Sequence, residues 1–275
     1  MSELLDRKSD NYRIALGLEY DGSLYSGWQK QTSSAVLTIQ AKVEEALTQV
    51  ADSNIKTICA GRTDAGVHAI YQVIHFDSPV DRGEKAWTLG ANSLLPESIK
   101  VLWAKNVDES YHARFSAIAR RYKYVLYQRK TPPTILAKKV THVYEGLNVE
   151  SMRKAAQSLV GEHDFSAFRA AGCQSKSSNR HVISAQVYQK GPYIIFDVKA
   201  NAFLLHMVRN IVGALLNIGH GKNKIEWMSE LLDSKDRKLG GATAPPDGLY
   251  LVAVDYPLNF EIPSNEDFPL YAGEA

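Results

Sequence analysis

From Tyr12 to Tyr20 apolar and polar residues alternate, and the alternation stops at Asp21-Gly22, which predicts a strand running into a turn. Between Thr38 and Val50 the period becomes helical. Ile39, Val43, Ala46, Leu47 and Val50 share one face, and Thr38 can cap the first turn. Lys56–Ala60 and Ile70–Phe76 read as short strands on either side of a glycine-containing loop, Lys85–Leu95 as a helix, and Ile99–Ala104 as a further strand. A similar series then begins again. Arg120–Gln128 predicts an aromatic strand, Val149–Val160 an amphipathic helix, and Val182–Lys190 with Tyr193–Lys199 a hairpin turning at Gly191-Pro192. Phe203–Ile218 predicts a long apolar helix, Ile225–Leu232 a short one, and Leu249–Tyr256 the last strand.

Strands and helices mixed in similar order twice imply an α+β protein of two related α/β domains with antiparallel sheets. The length of 275 residues allows about two domains at roughly 150 residues each. The boundary is expected near residues 107–115. This gives an N-terminal domain over 1–110, a C-terminal domain over 111–256, and an acidic, proline-containing tail over 257–275 that contributes no core. A chain this long needs no disulfide or metal staple, and Cys59 and Cys173 make neither a disulfide framework nor a zinc cluster. Met1–Ser9 carries acids and no apolar stretch, so no signal peptide is expected, and no apolar run approaches the ~20 residues of a membrane span. These features predict a soluble cytoplasmic protein.

The net charge is only +2, but it is unevenly spread. Residues 1–109 carry −4, residues 110–225 carry +13, and residues 226–275 carry −7; Ser110–Tyr144 holds eight basic residues and no acid. Local potential rather than net charge attracts phosphates, so the middle third reads either as a polyanion-binding face or as a solvated basic surface.

The densest chemical signal is Ala60-Gly-Arg-Thr-Asp-Ala-Gly-Val-His-Ala69. Gly61 and Gly66 bracket Arg62 and Asp64 between two strands, which suits a tight loop presenting one carboxylate. A guanidinium two residues away favours the charged carboxylate, the form a nucleophile requires. An arbitrary Arg-x-Asp is more simply a turn with a local salt bridge. The eight histidines are scattered, and His163, Cys173 and His181 lack metal-ligand spacing. His206 on the apolar helix reads as a core or interface residue, and Arg209, three residues on, as a surface cation. Tyr122 and Tyr124 share a strand face, where stacked core aromatics are the default. Gly172–Arg180, which includes Gln174 and Lys176, is polar and acid-free, and its basic flanks favour a phosphate-contacting loop over a plain flexible one.

The whole string Gly61-Arg-Thr-Asp-Ala-Gly-Val-His-Ala69 closely resembles the catalytic-loop signature of the tRNA pseudouridine synthase A family. Further segments resemble that family's blocks in order: Tyr20-Asp-Gly with Gly27-Trp-Gln, His112-Ala-Arg-Phe-Ser-Ala, Arg121-Tyr-Lys-Tyr124, His163-Asp-Phe with Phe168-Arg169, Asn201-Ala-Phe with His206-Met-Val-Arg-Asn210, and Ala244-Pro-Pro-Asp-Gly-Leu-Tyr250. They span roughly residues 12–256. The resemblance implies that Asp64 is the catalytic aspartate, that Tyr122 packs against the target uracil, that Arg209 pairs with the aspartate, that Leu249 is an apolar wall, and that Arg62 helps to extrude the target nucleotide. Arg82, Arg114, Lys130 and Lys176 lie in or beside blocks matching the family's tRNA-contacting parts. The resemblance also implies fused antiparallel sheets around a basic central cleft, a homodimer in which one tRNA touches both subunits, and modification of uridines 38, 39 and 40 of the anticodon arm.

Pseudouridine formation breaks the C1′–N1 bond, turns the uracil and rejoins it through C5. It is redox-neutral, so no metal or organic cofactor is expected, and no dinucleotide or P-loop fingerprint is present. The base must leave its stack, which calls for an aromatic face and a polar wedge; Tyr122 and Arg62 fit. A glycoside or nucleoside hydrolase would need a second carboxylate about 5–10 Å from the first, and none stands out near Asp64. A non-catalytic RNA-binding module would leave the Arg62–Asp64 loop without a purpose.

Overall fold

The computed structural model describes residues 11–31 and 36–264. Met1–Ser9 and the acidic residues beyond 264, on which two of the expectations above bear, lie outside the described residues. In the first half, β1 (Tyr12–Tyr20) occupies the predicted positions, and α1 (Ile39–Ala51) follows Thr38, whose hydroxyl accepts the Ala41 N–H at 3.4 Å. The short β2 (Ile58–Cys59) precedes β3 (His68–Ser78). The helix expected over Lys85–Leu95 is present and continuous, with a π-helical stretch, Ala86–Gly90, running into a single α-helical turn, α2 (Ala91–Leu94), and the buried Trp87 sits edge-on to Phe76 at 5.1 Å. β4 (Ile99–Asn106) ends this half.

The second half supplies β5 (Ala119–Gln128), β6 (Thr141–Val143), α3 (Val149–Gln157), β7 (Gly161–Asp164), β8 (Asn179–Lys190), β9 (Tyr193–Ala200), α4 (Met207–Gly219), α5 (Trp227–Ser234) and β10 (Leu249–Asp255). The helix expected from Phe203 begins four residues later. His206 takes the left-handed conformation (φ 59°), so the chain turns there, and Leu204 is buried and Phe203 half-buried as loop residues. An apolar run does not by itself separate a helix from a buried loop. The tail expectation is also corrected. Phe260 packs edge-on to Tyr111 at 5.2 Å, Ile262 joins the same core, Lys105 pairs with Glu261 at 2.9 Å, and the Tyr71 hydroxyl donates to the Pro263 carbonyl. An acidic composition does not prevent spaced apolar residues from packing.

All the strands form one mixed sheet in the order β4-β1-β3-β10-β5-β9-β8-β7, with β2 beside β3 and β6 beside β5. Most neighbours are antiparallel, but β10 runs parallel to β3 and β6 parallel to β5. Strand alternation divides the apolar residues between two faces. Along β5, Tyr122, Tyr124 and Leu126 enter the main core, whereas Val125 joins Ile70, Val140, Ile195, Tyr250 and Val252 on the opposite face. The last strand in sequence therefore lies at the centre, joining the strands of the two halves.

Candidate active site

Parallel neighbours have their entering loops at the same end of the sheet. β3 and β10 are in register at His68 and Tyr250, so the loop 60–67 meets the loop 244–248. Gly66 makes the meeting possible: it adopts φ +80°, and a Cβ there would lie 2.9 Å from Cγ of Pro246. Gly27, at φ +89°, allows equally close approach from the other side, where a Cβ would lie 2.7 Å from the Thr63 carbonyl oxygen. Backbone hydrogen bonds then fasten the loop. The Trp28 N–H donates to the Thr63 carbonyl at 3.0 Å and the Gly66 N–H to the Tyr25 carbonyl at 3.1 Å. The buried Tyr20 hydroxyl shares a hydrogen bond of 2.8 Å with Thr63 Oγ1, and the buried Gln72 amide donates to the Gly61 carbonyl at 2.6 Å.

Arg120 is the fork that ties this loop to its neighbours. Its guanidinium donates to the carbonyls of Ala60 (2.9 and 3.3 Å), Arg114 (2.6 Å), Ala117 (3.0 Å) and Asn201 (2.9 Å). Replacing it with methionine keeps the bulk but orphans carbonyls in three segments. With buried unsatisfied groups costing about 1–3 kcal/mol each, Arg120→Met is expected to lower the unfolding free energy by about 3 kcal/mol or more. Urea denaturation measures this; a loss below about 1 kcal/mol would mean that water replaces the fork.

Within the resulting cleft, of about 640 Å³, the Asp64 carboxylate meets Arg209 and His206 at the start of α4. Arg209 Nη1 donates to Oδ2 at 3.2 Å, and His206 Nε2 lies 3.4 Å from the same oxygen. Arg209, its side chain only 14% exposed, also donates from Nε to the Ala244 carbonyl at 2.9 Å, linking α4 to the loop that enters β10. Tyr122, set edge-on to Phe203 at 4.9 Å, and the buried Leu249 form apolar walls. Tyr124, on the same strand face, is not stacked on Tyr122; its hydroxyl donates to the Pro245 carbonyl at 2.9 Å and holds the second loop. Burial, and then the negative charge of Asp64, raises the Tyr122 phenol well above the usual tyrosine range, so it stays protonated. Burial pushes the Cys59 thiol, which also lines the cleft, up to about 12, which leaves it a poor nucleophile. Among the described residues Asp64 is the one carboxylate lining the cleft, against five arginines: Arg62, Arg114, Arg120, Arg180 and Arg209.

The structure therefore brings Asp64, Tyr122, Arg209, Leu249, Arg62, Arg114 and Gln174 to one cleft. The local pairing expected within Arg62-Thr-Asp64 is corrected: the cation on Asp64 is Arg209, while Arg62 donates across the cleft to Gln174 Oε1 at 3.2 Å. Lys176, Arg82 and Lys130 are exposed and outside the cleft lining, with Arg82 donating to the Ala51 carbonyl at the end of α1 at 3.2 Å. The loop 172–180 is braced from beneath. Arg169 donates to the carbonyls of Cys173 (2.8 Å) and Ser175 (2.9 Å), and Arg180 to Ser175 Oγ (2.7 Å) and the Ser177 carbonyl (3.0 Å). Neither arginine uses a carboxylate in these bonds, so their charge stays available to an anion. His206, expected in a core or an interface, stands in the cleft instead; its only sequence signal was its place three residues before Arg209. Among the described residues no group of three or more His, Cys, Asp or Glu side chains could hold a metal ion.

One carboxylate among arginines, walled by a tyrosine and opening at the join of a mixed sheet, is the kind of cleft that suits an enzyme acting on a polyanion. The family described as "tRNA pseudouridine synthase" matches residues 18–116 and 155–257. Relatives named tRNA pseudouridine synthase A from Salmonella paratyphi B, Salmonella newport and Salmonella heidelberg are each 52% identical over 268 residues, which is 98% of this chain and 98% of theirs. A solved archaeal box H/ACA sRNP Nop10-Cbf5 complex aligns with 74% of this chain and 43% of that chain at a TM-score of 0.33 and 12% identity. The chain belongs to the tRNA pseudouridine synthase A family and is an isomerase that acts on tRNA uridine.

Proposed function

We propose that this enzyme converts uridine to pseudouridine at positions 38, 39 and 40 of the tRNA anticodon stem-loop, with Asp64 acting on the ribose. The observation that carries the site assignment is the isolation of Asp64 as the one carboxylate among the described cleft-lining residues, with Arg209 on its Oδ2. Positively charged walls draw the RNA backbone into the cleft. Arg62 enters the helical stem as the nucleotide leaves it, and Tyr122 and Leu249 receive the uracil between apolar surfaces. Asp64 then attacks C1′ or takes a ribose proton to form a glycal. Either route breaks C1′–N1, joins C1′ to C5, and moves one proton from C5 to N1. No electrons are gained or lost. The choice of position follows from the family resemblance; the two halves 1–110 and 111–256, working as a cytoplasmic homodimer, complete the reading. Sequencing of treated tRNA for pseudouridine tests it, and modification confined to other positions would overturn the assignment. A hydrolase would release free uracil in the same assay, an outcome disfavoured by the lack of a second carboxylate among the described residues of the cleft.

Arg82, Arg114, Lys130 and Lys176 are read as phosphate contacts that position the RNA. Phosphates carry no sequence information, so each alanine variant is expected to weaken tRNA binding without changing which uridine is modified. Each is also expected to flatten the salt dependence by about one unit of log K per log salt. Arg62→Ala is expected to slow single-turnover formation far more than it weakens binding. Salt titrations and single-turnover rates on all five variants check both statements. Unchanged slopes in the four would return those residues to plain solvated surface, and a purely affinity-based loss at Arg62 would make it another phosphate anchor.

A further inference from the structure

We infer that His206 is a positioning residue for Asp64: its imidazole and the Arg209 guanidinium together hold Oδ2, so that Oδ1 is the oxygen presented to the ribose. The inference rests on Asp64 being the reacting carboxylate. His206 Nε2 lies 3.4 Å from Oδ2, and Arg209 Nη1 lies 3.2 Å from the same atom. Among the described residues no hydrogen bond is made to Oδ1. The outer torsion of an aspartate is broad, so a carboxylate held by one donor still swings about it. The Arg209 hydrogen bond and the His206 imidazole packed 3.4 Å from the same oxygen confine that swing from two separate points of a helix start, and reaction geometry is steeply sensitive to such displacements.

The backbone of His206 makes the same point from another direction. The residue stands at φ 59°, ψ 9°, a conformation that is unfavourable for side chains with a Cβ and free to glycine. Strain of this kind persists where the surroundings demand the particular residue. Packing does not supply the demand, because the imidazole is 33% exposed and lines the cleft. Helix capping does not supply it either: His206 occupies the N-cap of α4 and its side chain makes no capping hydrogen bond. What its side chain does reach is Asp64.

A turn residue and a positioning residue respond oppositely to glycine. His206→Gly relieves the backbone and deletes the imidazole beside Oδ2. We expect it to melt at or above the wild-type temperature and to bind tRNA within about twofold, while its single-turnover rate of pseudouridine formation falls on the order of 10- to 100-fold. His206→Gln places a polar N–H of similar reach beside Oδ2 on a less favourable backbone, and is expected to recover a substantial part of that rate without gaining stability. A His206→Gly rate within about threefold of wild type would overturn the inference, and so would a His206→Gln variant as slow as His206→Gly, or a loss confined to tRNA affinity. Asp64→Asn is assayed in parallel. If it stays active, the assignment of Asp64 itself fails; if it is inactive while His206→Gly is unimpaired, only the role of His206 fails.

Discussion

Asp64→Asn is expected to leave tRNA affinity within about threefold of wild type while lowering pseudouridine formation at least about a hundredfold. The two side chains are nearly isosteric, and the amide oxygen can still accept from Arg209 Nη1, so the loop 60–67 keeps its shape through contacts that do not involve the carboxylate. What disappears is the negative oxygen that the proposed chemistry uses to attack carbon or take a proton. Binding has no reason to weaken, since removing the one acid among five cleft arginines makes the cleft more attractive to phosphates. A filter-binding titration beside a single-turnover assay separates the two quantities. Turnover above a few per cent of wild type would remove Asp64 from the chemistry.

The second large effect is expected at Tyr122, where two substitutions divide ring from hydroxyl. Tyr122→Ala removes a ring that walls the cleft and packs edge-on to Phe203 in the main core. It therefore loses a base-stacking surface worth roughly 1–3 kcal/mol and leaves a core cavity costing about 3–5 kcal/mol of stability. Tyr122→Phe keeps the ring, and with it binding and fold. Its rate reports the hydroxyl alone. That hydroxyl is held protonated by burial and by the charge of Asp64, so at neutral pH it can donate a hydrogen bond and does not act as a base. The expected order is a folded, tightly binding but slowed Phe variant, and an Ala variant deficient in both binding and rate. Equal, mild losses in the two would reduce Tyr122 to an ordinary core residue.

Much of the local structure was legible because it depends on near neighbours. The alternation from Tyr12 to Tyr20 and the helical face from Ile39 to Val50 are short-range periodicities, and Thr38 caps its helix through a hydroxyl three residues from its partner. The loop carrying Asp64 was legible from its bracketing glycines and its resemblance to a family signature, and Gly66 is required there by its close approach to Pro246. The error at Phe203 has the converse cause. Phe203 and Leu204 are as apolar as the helix that follows, and only contact with Tyr122 and the turn at His206 keep them out of it.

The sequence by itself determined the α+β class, most of the strands and helices, the loop that carries Asp64 and the basic middle of the chain, because composition and periodicity act over a few residues. Tertiary structure decided who meets Asp64. Residue spacing pointed to Arg62, two residues away, which instead reaches over to Gln174; Arg209, far along the chain and the partner implied by the family resemblance, supplies the cation, with the His206 imidazole beside it. That exchange follows from the parallel pairing of β10 with β3, which sets the loop before Leu249 beside the loop of Asp64 and gives Arg209 the Ala244 carbonyl to brace against. A pairing between strands more than 170 residues apart leaves no period in the sequence, since its register is set by which buried faces fit together once the sheet has formed.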